Sequence, residues 1–417
     1  MTEDLFRREN ARLVSLLCAQ LGVHRLELAE DAVQEAFIRA LQTWPYRGIP
    51  ANPAAWLAQT ARNLALDQLR REQNWERKQE GIGEARALWM SGEAADASTA
   101  ASLEEGLGDE SLRLLFVCCH PALSPEAQTA LALRTLCGFS PAEIAAAFLT
   151  TEAAVAKRLV RARQCIRDLA LPFAVPGPEE MPERLDAVLG TLYLLFNEGY
   201  RASSGDRLIR EDLCQEAIRL ALQLAAHPAT RRPRTLALVA LLLLSAARLP
   251  ARVDDAGNPL RLREQDRSRW NAGMIARGIE YLGLAATGDE LSQYHLEAGI
   301  AACHATAPDE DSTDWPRILS LYDQLVGRYP SPVVALNRAV AVARVRGPAA
   351  GLEELQGGAL AGALEGYLFY HAVRGTLAAE AGRTAEALQH LRRASDLATL
   401  PGEQEFLARR IAELPAG

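Results

Sequence analysis

Aromatic residues make up only 6% of the 417 residues, and β-branched residues are sparse. Both groups favour strands, whereas the dominant Leu and Ala favour helices. Almost half of the residues are apolar, so the chain can form large cores. The composition therefore predicts an all-α protein of two or three domains and excludes global disorder.

Signals for export or membrane insertion are also scarce. The N-terminal MTEDLFRREN is charged and holds no apolar run, so no signal peptide is expected. The most apolar stretch, Thr235 to Leu249, is short for a membrane span and has Arg residues on both sides, which favours a buried helix. Seven irregularly spaced cysteines indicate reduced thiols rather than a disulfide framework. We expect a cytoplasmic protein with no membrane contact.

Patterns typical of enzymes are absent from the sequence: no Gly-rich phosphate loop, nucleophile elbow or pair of catalytic carboxylates occurs. Cys118, Cys119 and His120 are adjacent, a spacing that makes joint chelation of one tetrahedral ion difficult. His304 with its neighbour Cys303 is an equally weak signal. We expect no catalysis, no cofactor and no metal, and we expect the cysteines to pack in a buried helix.

Breaks in the apolar periodicity divide the chain into four segments. Residues 1–80 predict helices, and Gly-, Ala-, Ser- and acid-rich residues 81–108 predict a flexible linker. Periodicity returns over 109–171, and a Pro-rich boundary follows. Residues 172–417 predict a domain of Ala- and Leu-rich helices, in which Gly199 is expected to end one helix.

Within the first segment, apolar residues recur at helical spacing on two stretches, which predict two helices. A third helix is expected after a loop, with Asn52 as its N-cap. The predicted inward-facing residues are Leu5, Leu13, Leu16 and Leu17, then Val33, Phe37, Ile38 and Leu41, and the predicted loop residues are Pro45, Gly48, Pro50 and Pro53.

Part of the last segment resembles a tetratricopeptide repeat. Ala387, Leu391 and Ala394 follow Gly375 by 12, 16 and 19 positions, which would let paired helices approach closely. Ala339, Gly351 and Leu355 repeat part of this spacing 36 residues earlier, and Ile318, Tyr322 and Leu325 give a weaker match. An ordinary Ala-rich helical bundle is the alternative.

The sharpest local pattern, Gly138 to Ile166, predicts a helix-turn-helix. Ser140 and Glu143 form a capping box for the first helix. Thr151 is the expected N-cap of the second helix, whose Val155, Leu159 and Ile166 can pack inward.

The second helix of this motif is strongly basic, although the whole chain has a net charge of −8. Basic side chains here would neutralise phosphates while the helix enters the major groove. A solvated cationic helix in a bundle is the alternative. The basic residues are Lys157, Arg158, Arg161, Arg163 and Arg167.

Two further amphipathic helices precede the linker. Ala29 to Trp44 places Asp31, Gln34 and Glu35 on one side. Trp56 to Glu72 combines aromatic, amide and basic residues, a combination suited to single-stranded DNA.

In this order, the three patterns resemble the extracytoplasmic-function group of the sigma-70 family. The match to D-x-x-Q-E-x-F-x-R-A at Asp31 to Ala40 resembles the region 2 helix that docks on the RNA polymerase clamp. Trp56 to Glu72 resembles the helix that reads and melts the −10 element, and Gly138 to Ile166 resembles region 4, which reads the −35 element. The resemblance implies two small DNA- and polymerase-binding domains, a region 2 bundle and a region 4 helix-turn-helix.

The resemblance also implies partners and site residues: core RNA polymerase and promoter DNA. The residues implied for −35 DNA are Thr151, Ala154, Lys157, Arg158, Arg161 and Arg163. Those implied for −10 DNA are Arg62, Asn63, Asp67, Arg70 and Arg71. Those implied for the polymerase clamp are Asp31, Gln34, Glu35 and Arg39.

Two features depart from the common pattern of this group. The recognition helix carries Ala153, Ala154 and Ala156 near its start, and these side chains cannot hydrogen-bond to bases. This favours phosphate contacts over base readout. The long C-terminal domain occurs in some groups of the family, where it is thought to regulate the factor through an intramolecular or protein contact. The alternatives are a helix-turn-helix regulator with a sensing tail that acts without polymerase, and a helical scaffold with an incidental basic helix.

Overall fold

The structure is a computed structural model that describes residues 2–79, 110–147, 150–202 and 208–414. Over these residues the chain is helical, and the only β-type pairing is an isolated bridge between Val253 and Pro259. The all-α prediction is confirmed. The chain divides into two compact units, Met1–Leu194 and Leu195–Gly417. The predicted linker 81–108 and residues 148–149, within the predicted helix-turn-helix, lie outside the described residues.

The first unit contains the helices of all three sequence patterns. They are α1 (Thr2–Leu21), α2 (Leu26–Arg47), α3 (Pro53–Gln79), α4 (residues 110–118), α5 (Pro125–Cys137), α6 (Pro141–Ala147) and α7 (Glu152–Asp168), and α8 (Met181–Tyr200) begins here.

Local side-chain chemistry explains where several of these helices begin and end. The Asn52 side chain accepts a hydrogen bond from the Ala55 amide (3.0 Å), and Thr151 accepts one from Ala154 (3.2 Å). Ser140 and Glu143 exchange the two hydrogen bonds of a capping box. These predicted caps are confirmed. Pro45 lies inside α2, so the predicted loop begins only after Arg47.

The buried face of α2 differs from the predicted one. Val33 is buried, but Ile38 and Leu41 are 47% and 54% exposed, so their predicted inward position is wrong. Alanines fill the inward stripe with Val33, and these small side chains let α2 pack closely on its neighbours. The stripe comprises Ala29, Ala32, Val33, Ala36, Ala40 and Trp44.

The second unit consists of helices joined by short segments and 3₁₀ turns. Its helices after α8 are α9 (Glu211–Ala226), α10 (Pro233–Ala246), α11 (Ala272–Ala285), α12 (Gln293–Thr306), α13 (Trp315–Arg328), α14 (Pro332–Arg346), α15 (Pro348–Glu354), α16 (Gly358–Leu364), α17 (Leu368–Glu380), α18 (Thr384–Leu397) and α19 (Pro401–Ala412).

The most apolar run of the sequence forms α10. By length and composition, Pro233–Ala251 is the one stretch of the described chain that could cross a membrane, but 78% of its most apolar window is buried inside the protein. Its high hydropathy is therefore explained by its place in the core, as the sequence predicts.

Small residues set the distance between paired helices in this unit. A Cβ on Gly375 of α17 would lie 2.7 Å from Leu391 Cγ of α18. A Cβ on Gly351 of α15 would lie 2.6 Å from Ala343 Cβ of α14. Both contacts fall where the repeat spacing places small residues, and the tetratricopeptide assignment stays a prediction.

Gly199 has a packing role. It lies inside α8, which continues to Tyr200, so its predicted role as a helix C-cap is wrong. A Cβ there would lie 2.8 Å from the backbone nitrogen of Cys214. Gly199 thus allows the start of α9 to approach the end of α8.

Candidate nucleic-acid interface

A groove of about 440 Å³ lies between α7 and the N-terminus of α5. Lys157, Arg158 and Arg161 line it on the α7 side, with Ala154. Ser124, the N-cap of α5, lines the opposite side and accepts a hydrogen bond from the Ala127 amide. The structure thus brings four of the six residues implied for −35 DNA to one groove.

Packing fixes the orientation of this groove. Val155, Leu159 and Ile166 are buried, as predicted, and they hold the opposite face of α7 against the core. Three cations line the α7 side of the groove, and cations attract the phosphates of nucleic acids. This arrangement is suited to a nucleic-acid phosphate.

Arg163 and Arg167 are not among the residues that line this groove. Arg163 Nη2 donates to Glu30 Oε2 of α2 at 2.5 Å, and its side chain is only 13% exposed. Arg167 Nη1 donates to Glu27 Oε2 at 3.3 Å. In this arrangement the guanidinium of Arg163 is held by a carboxylate, and its assignment to DNA stays a prediction.

Glu30 is a buried acid that the sequence reasoning missed. Its side chain is 2% exposed, and its second oxygen accepts a hydrogen bond from Thr135 Oγ1 of α5 at 2.6 Å. The Thr135 carbonyl in turn accepts one from Asn10 Nδ2 of α1 at 2.8 Å. The sequence signal that could have identified it is a lone acid on the otherwise Ala-rich face of α2. A charge buried on such a face requires partners from other helices.

The outer face of α2 combines charged and apolar side chains. Asp31, Glu35 and Arg39 are exposed, Gln34 is half-buried, and Glu35 pairs with Arg39 at 3.2 Å. The exposed Ile38 and Leu41 belong to the same helix, and Tyr46 near its end is 89% exposed. Exposed apolar side chains among polar ones mark protein-binding surfaces. We call the set Asp31, Gln34, Glu35, Ile38, Arg39 and Leu41 the α2 surface.

The surroundings of Asp31 disfavour the charged form of its carboxyl group. The side chain is exposed at its tip, but its partial burial raises its pKa above the ordinary value, and the nearby Glu27 raises it further, whereas Arg163 and Arg134 oppose the shift. A carboxylate kept in such surroundings is a candidate for a functional role.

On α3, Asn63, Asp67, Arg70 and Arg71 are exposed and Arg62 is half-buried. Gln59 Nε2 donates to Asn63 Oδ1 at 3.0 Å, which orients the amide. The buried Leu57 and Ala61 anchor the helix, and Trp56 contacts Trp44 edge-on at 5.6 Å between ring centroids. From the residue pattern of this helix we expect Trp56, Leu57, Ala61, Leu64 and Leu69 to pack inward, but Trp56, Leu64 and Leu69 are only half-buried.

A second groove, of about 630 Å³, joins residues implied for two different partners. Asp31, Glu35 and Arg39 of α2 line it together with Asp67 and Arg71 of α3. Arg167 of α7 also lines it, whereas Arg62, Asn63 and Arg70 do not.

Over the described residues, no group of three or more His, Cys, Asp or Glu side chains could hold a metal ion. Cys118 and Cys119 are buried, as predicted. Burial raises the pKa of Cys119 to about 12, so its thiol stays protonated at neutral pH.

Comparison with known proteins gives matches over three parts of the chain. Residues 5–75 match the family model of Sigma-70 region 2, and residues 113–166 match that of Sigma-70, region 4. Residues 184–286 match a family of unknown function, DUF6596. An uncharacterized protein of Rhizobium meliloti (strain 1021) is 41% identical over 393 residues, 94% of this chain and 91% of that protein. No solved structure matches the chain.

Proposed function

We propose, from the premise that this chain belongs to the sigma-70 family, that it is a member of the extracytoplasmic-function group with a regulatory C-terminal domain. Factors with regions 2 and 4 of this family serve promoter recognition and transcription initiation, bind core RNA polymerase and promoter DNA, and are not enzymes. The assignment of individual residues below is part of the proposal.

The observation that carries the proposal is the cationic groove between α7 and α5. Lys157, Arg158 and Arg161 line the α7 side of this groove, so a backbone phosphate of the −35 element can bind there. Ala154, small and at the start of α7, permits close approach to the DNA. We infer that phosphate contacts supply most of the affinity here and base contacts little.

The α2 surface supports the polymerase contact. Ile38 and Leu41 would bury apolar area against the clamp, and Asp31, Glu35 and Arg39 would set its orientation by charge. The burial of Val33 and the alanines on the opposite side leaves this surface free for a partner.

The exposed side of α3 supports contact with −10 DNA. Asn63 offers an amide for a flipped base, and Arg70 and Arg71 offer charge to the strand. Arg70 pairs with Asp67 at 3.5 Å, an exposed pair that DNA can replace at low cost.

The C-terminal domain is proposed to act as a tetratricopeptide-like regulator. The close contacts of Gly375 with Leu391 and of Gly351 with Ala343 are those of stacked helical pairs, which form peptide-binding surfaces. An intramolecular segment or a protein partner would occupy such a surface.

Association with core RNA polymerase tests the main proposal. The labelled full-length chain should bind core polymerase in sedimentation or anisotropy, and the complex should bind promoter DNA. A chain that binds DNA but not core polymerase would instead be an ordinary helix-turn-helix regulator. A chain that shows no salt-sensitive DNA binding even with polymerase would be a helical scaffold.

The regulatory role needs a separate test in the full-length chain. Gly375→Val should separate α17 from α18, because its side chain would meet Leu391. Gly366→Ala is the matched control, since no atom lies within 4 Å of a Cβ there. Changed promoter output in the first variant alone supports regulation, and unchanged output in both opposes it.

A further inference from the structure

Two arginines of the second unit share one tryptophan. The guanidinium carbon of Arg267 lies 4.6 Å from the centroid of the Trp270 ring, and that of Arg248 lies 5.3 Å from it. The Trp270 side chain is buried. The amide of Asn271 donates to the carbonyl of Ala247 at 2.9 Å, which ties together the two segments that carry these arginines. The ring attracts both cations and so keeps two like charges close to each other.

Neutral oxygen atoms fix the direction of each guanidinium group. Arg267 Nη1 donates to the carbonyls of His304 (2.8 Å) and Ala307 (2.5 Å). Arg248 Nη2 donates to Gln265 Oε1 at 3.3 Å. Carbonyl and amide oxygens orient a guanidinium group but do not neutralise its charge. The two cations are therefore positioned without being neutralised by these partners.

These two arginines differ from others in the same unit. Within the described residues, no hydrogen bond or ion pair joins a carboxylate to Arg248 or Arg267, although the charges of Asp309 and Glu310 act on Arg267. Three other half-buried arginines of the second unit each have a carboxylate partner at 3.0 Å or less. These pairs are Arg234 with Glu290, Arg338 with Asp323, and Arg374 with Glu386.

Four nitrogen atoms around this tryptophan are buried and, among the described residues, have no hydrogen-bond partner. They are Arg248 Nε, Arg267 Nη2, Trp270 Nε1 and His304 Nδ1. A buried polar atom without a partner is costly and rare in folded proteins. Four of them together indicate an acceptor that the chain itself does not supply. We call Arg248, Arg267, Trp270 and His304 the arginine cluster.

The arginine cluster combines two positive charges with a neutral histidine. Burial, and then the charges of Arg248 and Arg267, lower the pKa of His304 to about 4, so its ring is uncharged at neutral pH. Burial also lowers the pKa of Arg267, and the charge of Arg248 lowers it further, whereas Asp309 and Glu310 oppose the shift. Arg248, Arg267 and His304 are half-buried, so the cluster lies at the surface, where a small solute can reach it.

We propose that the arginine cluster binds a small anion of the phosphate type, either free phosphate or the phosphate group of a small molecule. A phosphate group carries a charge of about −1.5 to −2 at neutral pH, which matches two guanidinium groups better than a single carboxylate does. The planar guanidinium fork also fits the spacing of phosphate oxygens. The indole N–H of Trp270, and His304 with its proton on Nδ1, supply further donors.

The position of the donors favours a compact ligand. The four unpartnered nitrogen atoms are buried, although the residues that carry three of them are partly exposed. A small anion can reach such atoms, whereas the backbone of a nucleic-acid duplex stays outside the protein surface. The arginine cluster is thus distinct from the cationic groove of α7, whose Lys157 and Arg158 are exposed.

This inference goes beyond the proposed sigma function and does not depend on it. Anion binding is measured without polymerase or DNA. If the arginine cluster binds no anion, the chain still initiates at promoters. If the sigma function is absent, the anion still binds.

The first experiment is a calorimetric titration of the full-length chain with inorganic phosphate at neutral pH and constant ionic strength. The wild type should bind phosphate saturably. Arg248→Gln should weaken this binding about tenfold or more, because it removes a charged donor. Arg269→Gln is the matched control, since Arg269 is exposed, lies two residues from Arg267 and is outside the cluster. It should bind phosphate as the wild type does.

Two results of this titration would overturn the proposal. One is the lack of saturable phosphate binding by the wild type. The other is equal phosphate affinity for the wild type and Arg248→Gln, which would place the anion elsewhere on the chain.

A second variant covers the case in which Arg248→Gln fails to fold. Trp270→Phe keeps an aromatic ring beside both arginines and removes the indole N–H. It should weaken phosphate binding about threefold or more, because one hydrogen bond to the anion is lost. Wild-type phosphate affinity in this variant would overturn the proposal.

Competition against phosphate on the wild-type chain tests the class of ligand. Sulfate, a dianion of the same shape, should displace phosphate, and acetate should not. Displacement by acetate as effective as that by sulfate would overturn the assignment to a phosphate-type anion. Methyl phosphate distinguishes the two sources: tighter binding than inorganic phosphate supports a phosphorylated small molecule, and weaker binding supports free phosphate.

Discussion

The carboxylate of Glu30 accepts a 2.5 Å hydrogen bond from the guanidinium of Arg163, which lies 133 residues further along the chain. Arg163→Ala leaves this buried carboxylate without its cation, so we expect a loss of about 3 kcal/mol in the free energy of unfolding. Arg161→Ala, on the same helix but exposed, should change it by less than about 0.5 kcal/mol. Urea unfolding of both variants measures the difference, and equal stabilities would show that the pair contributes nothing.

The cationic groove predicts a defined salt dependence. Lys157→Ala and Arg158→Ala should each weaken binding to −35 DNA and reduce the salt slope by about 0.9, because each removes one phosphate contact. Arg269→Ala, an exposed cation of the second unit, is the control and should leave the slope unchanged. Titrations at several salt concentrations measure it. Slopes that match the wild type for both groove variants would place the DNA elsewhere.

Substitutions on the α2 surface should change polymerase binding without changing the stability of the fold. Ile38→Ser and Leu41→Ser should weaken binding to core polymerase about tenfold or more, since exposed apolar anchors contribute about 1–2 kcal/mol each. Their unfolding free energy should change by less than about 0.5 kcal/mol. Val33 is buried on the same helix, so Val33→Ala should lower the unfolding free energy and leave polymerase affinity unchanged. Polymerase affinity and thermal unfolding measured on all three variants decide whether the exposed side is the docking side.

A half-buried histidine of the second unit, His304, predicts loss of stability in mild acid. Burial, with the nearby Arg248 and Arg267, lowers the pKa of His304 to about 4. The unfolded chain takes up a proton near the ordinary pKa of 6.5 and the folded chain only near 4, so stability is full above 6.5 and falls as pH decreases towards 4.

His304→Gln removes this proton uptake. The unfolding free energy of the variant should therefore fall less than that of the wild type between pH 6.5 and 4. The loss from His304 in the wild type is at most about 3 kcal/mol. His390, whose pKa burial also lowers, should leave a residual dependence. His24→Gln, an exposed site in the first unit, is the control. Parallel pH profiles for the wild type and His304→Gln would contradict the assignment.

Local chemistry made part of the fold predictable. Asn52, Ser140 and Thr151 act as caps within three residues of their partners, so the sequence alone locates these helix starts. The buried run of α10 is predictable for the same reason, because apolar length and flanking charge are local features.

The contacts between distant segments were not predictable in this way. Ile38 and Leu41 have the same apolar character as Val33, and only the packing of the alanine stripe shows that they face outward. The partner of Arg163 lies in another helix, so a helix-based argument assigns this arginine to DNA along with its neighbours. Gly199 resembles a helix stop, yet its role depends on the approach of α9.

Promoter-specific initiation tests the central claim most directly. Core RNA polymerase with the full-length chain should produce defined transcripts from fragments of the source genome that a tagged copy of the chain retains, and polymerase alone should not. Lys157→Ala and Ile38→Ser should each reduce the yield. Transcripts that are the same with and without the wild-type chain would contradict the sigma function.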